Sequence, residues 1–246
     1  MKNTKIVIYI VVALSIFVCV EPAIAGPGGK IASVAFETFW GRIILVALII
    51  IFMPLMILNF FQERKAEKRA RKDLRFMANV NPQFDWFKIQ ERAKDCFFRV
   101  HSGWENEDLS SVSDWMTDWY WQNQQMVYLD KWKKEGLVNI CNVRMSTYFK
   151  PLLFVHRNAQ LGHEDSIVVI SIKAQMEDYL QNKASKKIVE GSKGFKWVET
   201  IWTFTIDNGK WKVSNIEEGA LAIAYAKLVK ELPNIESTIA GGLKEN

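Results

Sequence analysis

The chain has 246 residues, 49% hydrophobic, 13% aromatic and 24% charged, with a net charge of +5. That balance excludes a disordered chain and leaves room for one ordinary domain beside membrane segments. The modest basic excess fits an anionic membrane surface or nucleic acid and does not choose between them. Three cysteines are too few for a disulfide framework. Cys19 lies in an N-terminal apolar run, and Cys96 and Cys141 read as small core residues.

Residues 1–25 read as a secretory signal. Lys2 and Lys5 precede an apolar run over 6–20, and Ala23-Ile24-Ala25 before Gly26 fits small-x-small cleavage. An uncleaved transmembrane helix is the alternative. A short external segment, 26–42, leads to the uncharged IILVALIIIFMPLMILNFFQ at 43–62. Twenty residues at 1.5 Å span about 30 Å, the thickness of the hydrocarbon core, and transmembrane helices tolerate a residue such as Pro54.

Residues 63–80 form a basic juxtamembrane linker. It opens with ERKAEKRARKDLR, which carries Arg64, Lys65, Lys68, Arg69, Arg71, Lys72 and Arg75 against Glu63, Glu67 and Asp73. Its basic residues look wrapped around the helix rather than gathered into a stripe. Positive flanks stay in the cytoplasm, so the expectation is a bacterial inner membrane protein with its large domain inside. With the first segment cleaved the chain crosses once. Uncleaved, the two helices form a hairpin and the domain is still inside. The basic collar is the candidate contact with anionic lipid.

Asn81-Pro82 opens a soluble domain expected over 81–233, with 234–246 as a tail. A first helix is predicted over 84–101, with Trp86, Ile89, Ala93, Phe97 and Val100 on one face and Gly103 ending it. Asp108 is placed to cap a short second helix. A third, over 114–134, carries two aromatic stripes: Trp115, Trp119, Met126 and Leu129 on one face, Trp121, Tyr128 and Trp132 on another. The second stripe needs a partner, whether core, pocket, membrane or protein, and supplies the candidate partner or pocket aromatics.

Period two follows. One or two strands are predicted over 137–155, interrupted by Pro151. A strand over 166–180 turns Val168, Ile170, Ile172, Ala174 and Met176 to one face. Residues 181–196, rich in Lys and Gly, read as a solvated mobile loop. Asn208-Gly209 predicts a type I′ hairpin in which Asp207 opposes Lys210, Ile206 opposes Trp211, Phe204 opposes Val213 and Trp202 opposes Asn215. That register puts Trp202, Phe204, Ile206, Trp211 and Val213 on one buried face, with the other face wetter. A last helix is predicted over 217–232, ended by Pro233. Helices followed by antiparallel strands give an α+β domain: a curved, cone-shaped antiparallel sheet packed on N-terminal helices, preceded by a signal segment and one transmembrane helix.

The ending WVETIWTFTIDNGKWKVSNIEE resembles the membrane-associated domain of the mitochondrial import-motor anchor, the Tim44-like family. Phe84, Ile89-Gln90, Asp108-Leu109, Glu199, Trp202, Phe204, Trp211 and Ile216 carry the likeness, which covers roughly 81–232. Bacterial relatives and a mitochondrial ribosomal protein that docks ribosomes on the inner membrane share it. The resemblance implies the cone of the nuclear transport factor two superfamily and a membrane-side domain touching anionic lipids or a membrane protein complex. The anchor's N-terminal motor-binding region has no counterpart here, so motor recruitment does not carry over.

Enzymes of that superfamily place Asp, Tyr or His inside the cone. His101, His156 and His163 all lie off the apolar strand faces, and no catalytic triad, phosphate loop or metal-ligand spacing appears. The reading is therefore a non-enzymatic, membrane-anchored docking module without catalytic residues, metal or cofactor, possible roles being protein translocation or membrane protein assembly. A structural subunit of a secretion or conjugation channel is the alternative. Nucleic acid and a small-molecule substrate are not expected as partners.

Overall fold

Helix α1, Phe39–Ala78, takes in the whole apolar run and continues through Pro54 into the basic segment. It belongs to a computed structural model that describes residues 39–241. The expected signal segment, with Cys19, and residues 26–38 lie outside the described residues. The chain divides after Phe61 into two compact units. In the first, Ile44, Ile51, Leu55, Met56 and Phe61 are exposed, an apolar surface suited to lipid rather than water. Among the described residues, α1 is the one helix long and apolar enough to cross a membrane.

The second unit begins at Gln62 and is an α+β domain. The segment read as a linker is not outside it. Ala70, Leu74 and Met77 of α1 are buried in the same core as the sheet. Helix α2, Trp86–Glu105, starts where the Asp85 carboxylate accepts hydrogen bonds from the Phe87 and Lys88 amides. It buries Ile89, Ala93, Phe97 and Val100 of the predicted face, with Cys96 beside them, while Trp86 is only partly buried. Gly103 does not end it. That glycine is buried in the last turn, where a Cβ would come within 2.7 Å of Val112 Cγ2. Asp108 accepts from the Ser110 amide at 3.0 Å, but Leu109 is the N-cap residue of the following 3₁₀ turns, Ser110–Trp115, so Asp108 stands one residue ahead of the expected cap.

The predicted third helix is broken in two ways. Met116 forms a bridge to Val213, and the Thr117 amide bonds the Val213 carbonyl at 2.9 Å, so α3 begins only at Asp118. A π-turn, Gln125–Leu129, then separates α3, Asp118–Gln124, from α4, Asp130–Lys134. The extra residue in a π-turn rotates the faces on either side of it relative to one another. The first predicted stripe therefore does not exist as a face: Trp115 lies outside the helix, Trp119 and Met126 are exposed, and only Leu129 is buried.

Four antiparallel strands follow in the order β1-β2-β3-β4: β1 Leu137–Val155, β2 Ile167–Asn182, β3 Ile188–Asp207 and β4 Lys210–Glu218. Pro151 is accommodated because β1 is an edge strand, and three register shifts bend it. The Lys- and Gly-rich stretch is not a long loop, since β2 runs to Asn182 and β3 starts at Ile188.

Asn208 and Gly209 both have positive φ, 52° and 70°, as a type I′ turn requires. The predicted pairs hold as far as Phe204 opposite Val213. Beyond it an irregularity on the Ser214 side shifts the register, so Trp202 opposes Ile216 rather than Asn215. The face of Trp202, Phe204, Ile206, Trp211 and Val213 is buried.

The opposite face is not uniformly wet. Leu152, Leu153, Val169 and Ile201 bury against Ala222 of α5, Ala222–Leu228, which is much shorter than predicted because β4 extends to Glu218. After Pro233 the chain forms α6, Ile235–Gly241, whose Ile235 is buried in the main core.

Candidate functional site

At 100° per residue, Arg64, Lys65, Lys68, Lys72 and Arg75 of α1 fall within about 100° of arc, and all five are exposed. Ala66, Ala70, Leu74 and Met77 form the buried face opposite. The other two collar residues are braces. Arg69 Nε bonds Asp73 at 2.6 Å and its Nη2 donates to the Pro233 carbonyl. Arg71 bonds Glu67 at 3.0 Å and lies 4.9 Å from the Trp86 ring centre. Glu63 pairs with Lys150, itself buried on β1. All three acidic residues of the segment are thus paired, two within α1 and Glu63 with β1, and the exposed face of Arg64, Lys65, Lys68, Lys72 and Arg75 is basic. The sequence alone suggested no stripe because two arginines that serve internal contacts blur it.

The second site is a cavity of about 460 Å³ between the helices and the concave sheet face. Of the predicted aromatics, Tyr128 and Trp132 line it and Trp121 does not. Trp121 sits before the π-turn, packs beside the core and donates to Asp118 at 3.3 Å. Its place is taken by Trp104, whose ring centre lies 6.1 Å from that of Tyr128 and 5.9 Å from that of Trp132. Trp104 continues the spacing of Ala93, Phe97 and Val100, a signal hidden by reading Gly103 as a stop. Tyr120, Trp202 and Cys141 complete much of the apolar wall.

The polar groups of the cavity are unusual in sign. His101 stacks between Phe97, at 4.3 Å, and Trp202, at 5.6 Å. Desolvation there pushes its pKa down to about 4, although its hydrogen bond to the Phe97 carbonyl works the other way. Because Nδ1–H donates to that carbonyl at 2.7 Å, Nε2 is left as an acceptor. Asp178 is exposed to solvent at the cavity. Desolvation raises its pKa, Asn139 opposes the rise, and nearby Glu190 adds to it. The Cys141 thiol is pushed up to about 12 by burial, as is that of Cys96 outside the cavity, which makes both poor nucleophiles; both are free.

A third surface lies on the outer side of the sheet. Met145, Tyr148, Phe195 and Trp197 are exposed there, with Lys173 5.8 Å from the Trp197 ring centre and Arg144 5.8 Å from that of Phe195. The hairpin's own aromatic face is buried, but these earlier β1 and β3 aromatics are not.

Fold and site together define the class: an α+β domain, with an aromatic cavity and a basic helix face, that follows a helix able to span a membrane. The sequence profile of the Tim44-like domain matches residues 70–218, and the chain belongs to that family. The match begins inside α1, earlier than the resemblance in sequence suggested. Among solved structures, the intermembrane-space region of the chloroplast protein ARC6 is similar at 11% identity and a TM-score of 0.29, over 49% of this chain and 91% of that one. No curated protein matches the chain.

Proposed function

We propose that the chain is a non-enzymatic docking module, anchored in a bacterial inner membrane by α1, whose domain faces the cytoplasm and rests on anionic lipid. The observation that supports this is the basic face of Arg64, Lys65, Lys68, Lys72 and Arg75, which begins two residues after the apolar run and is cleared of acidic side chains. Each Lys or Arg at an anionic surface contributes about 1 kcal/mol within a Debye length. The exposed Tyr148 and Trp197 beside Lys173 suit the same headgroup region, where amphipathic rings and long cations settle. The rest of the domain surface then serves a membrane protein complex, in translocation or in membrane protein assembly.

The test is co-sedimentation of a fragment starting at Gln62 with vesicles of neutral or phosphatidylglycerol-containing lipid. Binding is expected to the anionic vesicles, to fall with salt, and to weaken by at least about tenfold in the variant Lys65→Ala, Lys68→Ala, Lys72→Ala, Arg75→Ala. Equal binding to neutral vesicles, or full binding by the folded variant, overturns the reading.

A further inference from the structure

The cavity combines an aromatic lining with charged groups of one sign. Trp104, Tyr128 and Trp132 have ring centres 5.5 to 6.1 Å apart, close enough to pack as a continuous wall rather than to enclose an ion between them. A ligand therefore lies against the wall, and its polar end must be met elsewhere. Among the described lining residues there is no Lys or Arg, whereas two carboxylates, Asp178 and Glu190, are present. With its amide oriented so that the nitrogen faces acceptors, Asn139 donates to Asp178 Oδ1 at 3.1 Å. Lys193, 5.9 Å from the Tyr179 ring centre, is not among the lining residues and interacts with Glu177.

The neutral imidazole of His101 offers only its Nε2 acceptor. A fatty acid or phosphate group entering here would meet two carboxylates and no counter-charge, at a cost that grows as water leaves. A protonated amine would instead donate to groups that can only accept, and its cationic end is attracted by aromatic faces as well.

We propose that the cavity binds an organic amine, an ammonium group on an apolar or aromatic body, with the ammonium at Asp178 and Glu190 and the body against Trp104, Tyr128 and Trp132. The volume of about 460 Å³ fits one small organic molecule. This site is separate from the basic face of α1 and has the opposite charge preference, so it stands independently of the lipid reading.

The experiment uses the full chain in nanodiscs of neutral lipid and three matched probes: 2-phenylethylamine, 2-phenylethanol and 3-phenylpropanoate. Binding is read by tryptophan fluorescence and by ligand-observed NMR, with empty nanodiscs subtracted. The amine is expected to bind at least about tenfold more tightly than the carboxylate. Asp178→Asn and Glu190→Gln are each expected to reduce that preference, and together to abolish it. Glu190 is exposed on β3, so its variant remains informative if Asp178→Asn does not fold. The proposal is overturned if the carboxylate binds as tightly as the amine, if the amine binds the folded Glu190→Gln protein as well as it binds the parent, or if no probe binds.

Discussion

His101 shows how a single side chain ties the cavity to the stability of the domain. Its folded pKa, lowered to about 4 by desolvation, lies below the ordinary value of 6.5. The unfolded chain therefore takes up a proton at a pH where the folded one does not. The sign is that of a depressed group: stability is full above pH 6.5 and falls as pH drops through that value toward 4. The share of His101 is at most about 3 kcal/mol. His156 adds in the same direction, because burial and His163 lower its pKa too. It hydrogen-bonds His163 at 3.0 Å and Thr238 of α6 at 3.1 Å. Chemical denaturation of the fragment from Gln62 at a series of pH values should show this loss. His101→Gln should flatten the curve between pH 6.5 and 4 while leaving a smaller slope from His156. An unchanged slope in that variant would mean that His101 is already protonated in the folded domain.

Among the elements, the junction of α2 with the 3₁₀ turns is set by Gly103. In an open helix, Gly→Ala stabilises by about 1 kcal/mol. Here the new Cβ would meet Val112 Cγ2 at 2.7 Å, Leu109 Cδ2 at 3.1 Å and the Asp108 carbonyl at 3.3 Å. Val112 is short and stiff, so the turn must shift, and overpacking of this kind costs about 1–3 kcal/mol. Gly103→Ala is thus expected to lower the denaturation midpoint, and a raised midpoint would show that the turn moves freely.

The same junction marks where the sequence was legible and where it was not. The Asn208-Gly209 hairpin could be read because two adjacent positive-φ residues fix the turn and its first pairs. Helix α2 could be read because one face is apolar at regular spacing. The π-turn left no trace in residue types, so Trp121 was grouped with Tyr128 and Trp132. The first half of β3 is exposed on both faces and shows no alternation; its pairing with β2 is made by the backbone. The basic face of α1 was concealed by Arg69 and Arg71, whose role appears only with their partners. The cavity draws on helices, β1, β2, β3 and β4, and no local stretch announces it.

For the whole molecule, the question is which side of the membrane holds the domain. Residues 63–75 contain seven Lys or Arg against three acidic residues. The ion pairs Arg69–Asp73, Arg71–Glu67 and Lys150–Glu63 belong to the folded domain. Orientation is decided by basic residues close to the end of the span, with acidic residues contributing little. Arg64 and Lys65 follow the apolar run almost at once, and Lys68, Lys72 and Arg75 come within the next three turns. Carrying these charges outward would oppose the membrane potential by about 2.3 kcal/mol per charge per 100 mV. The N-terminal flank, residues 26–42, offers two basic residues, Lys30 and Arg42, in opposition. A fusion placed after Asn246 and expressed in a bacterium is therefore expected to give active cytoplasmic reporter and inactive periplasmic phosphatase. Replacing Arg64, Lys65, Lys68, Lys72 and Arg75 by Gln should raise phosphatase activity in a fraction of molecules, since the remaining Arg69 and Arg71 still favour the inside. Full phosphatase activity in the unaltered fusion would put the domain outside, and with it would remove the cytoplasmic lipid surface that the basic face is proposed to meet.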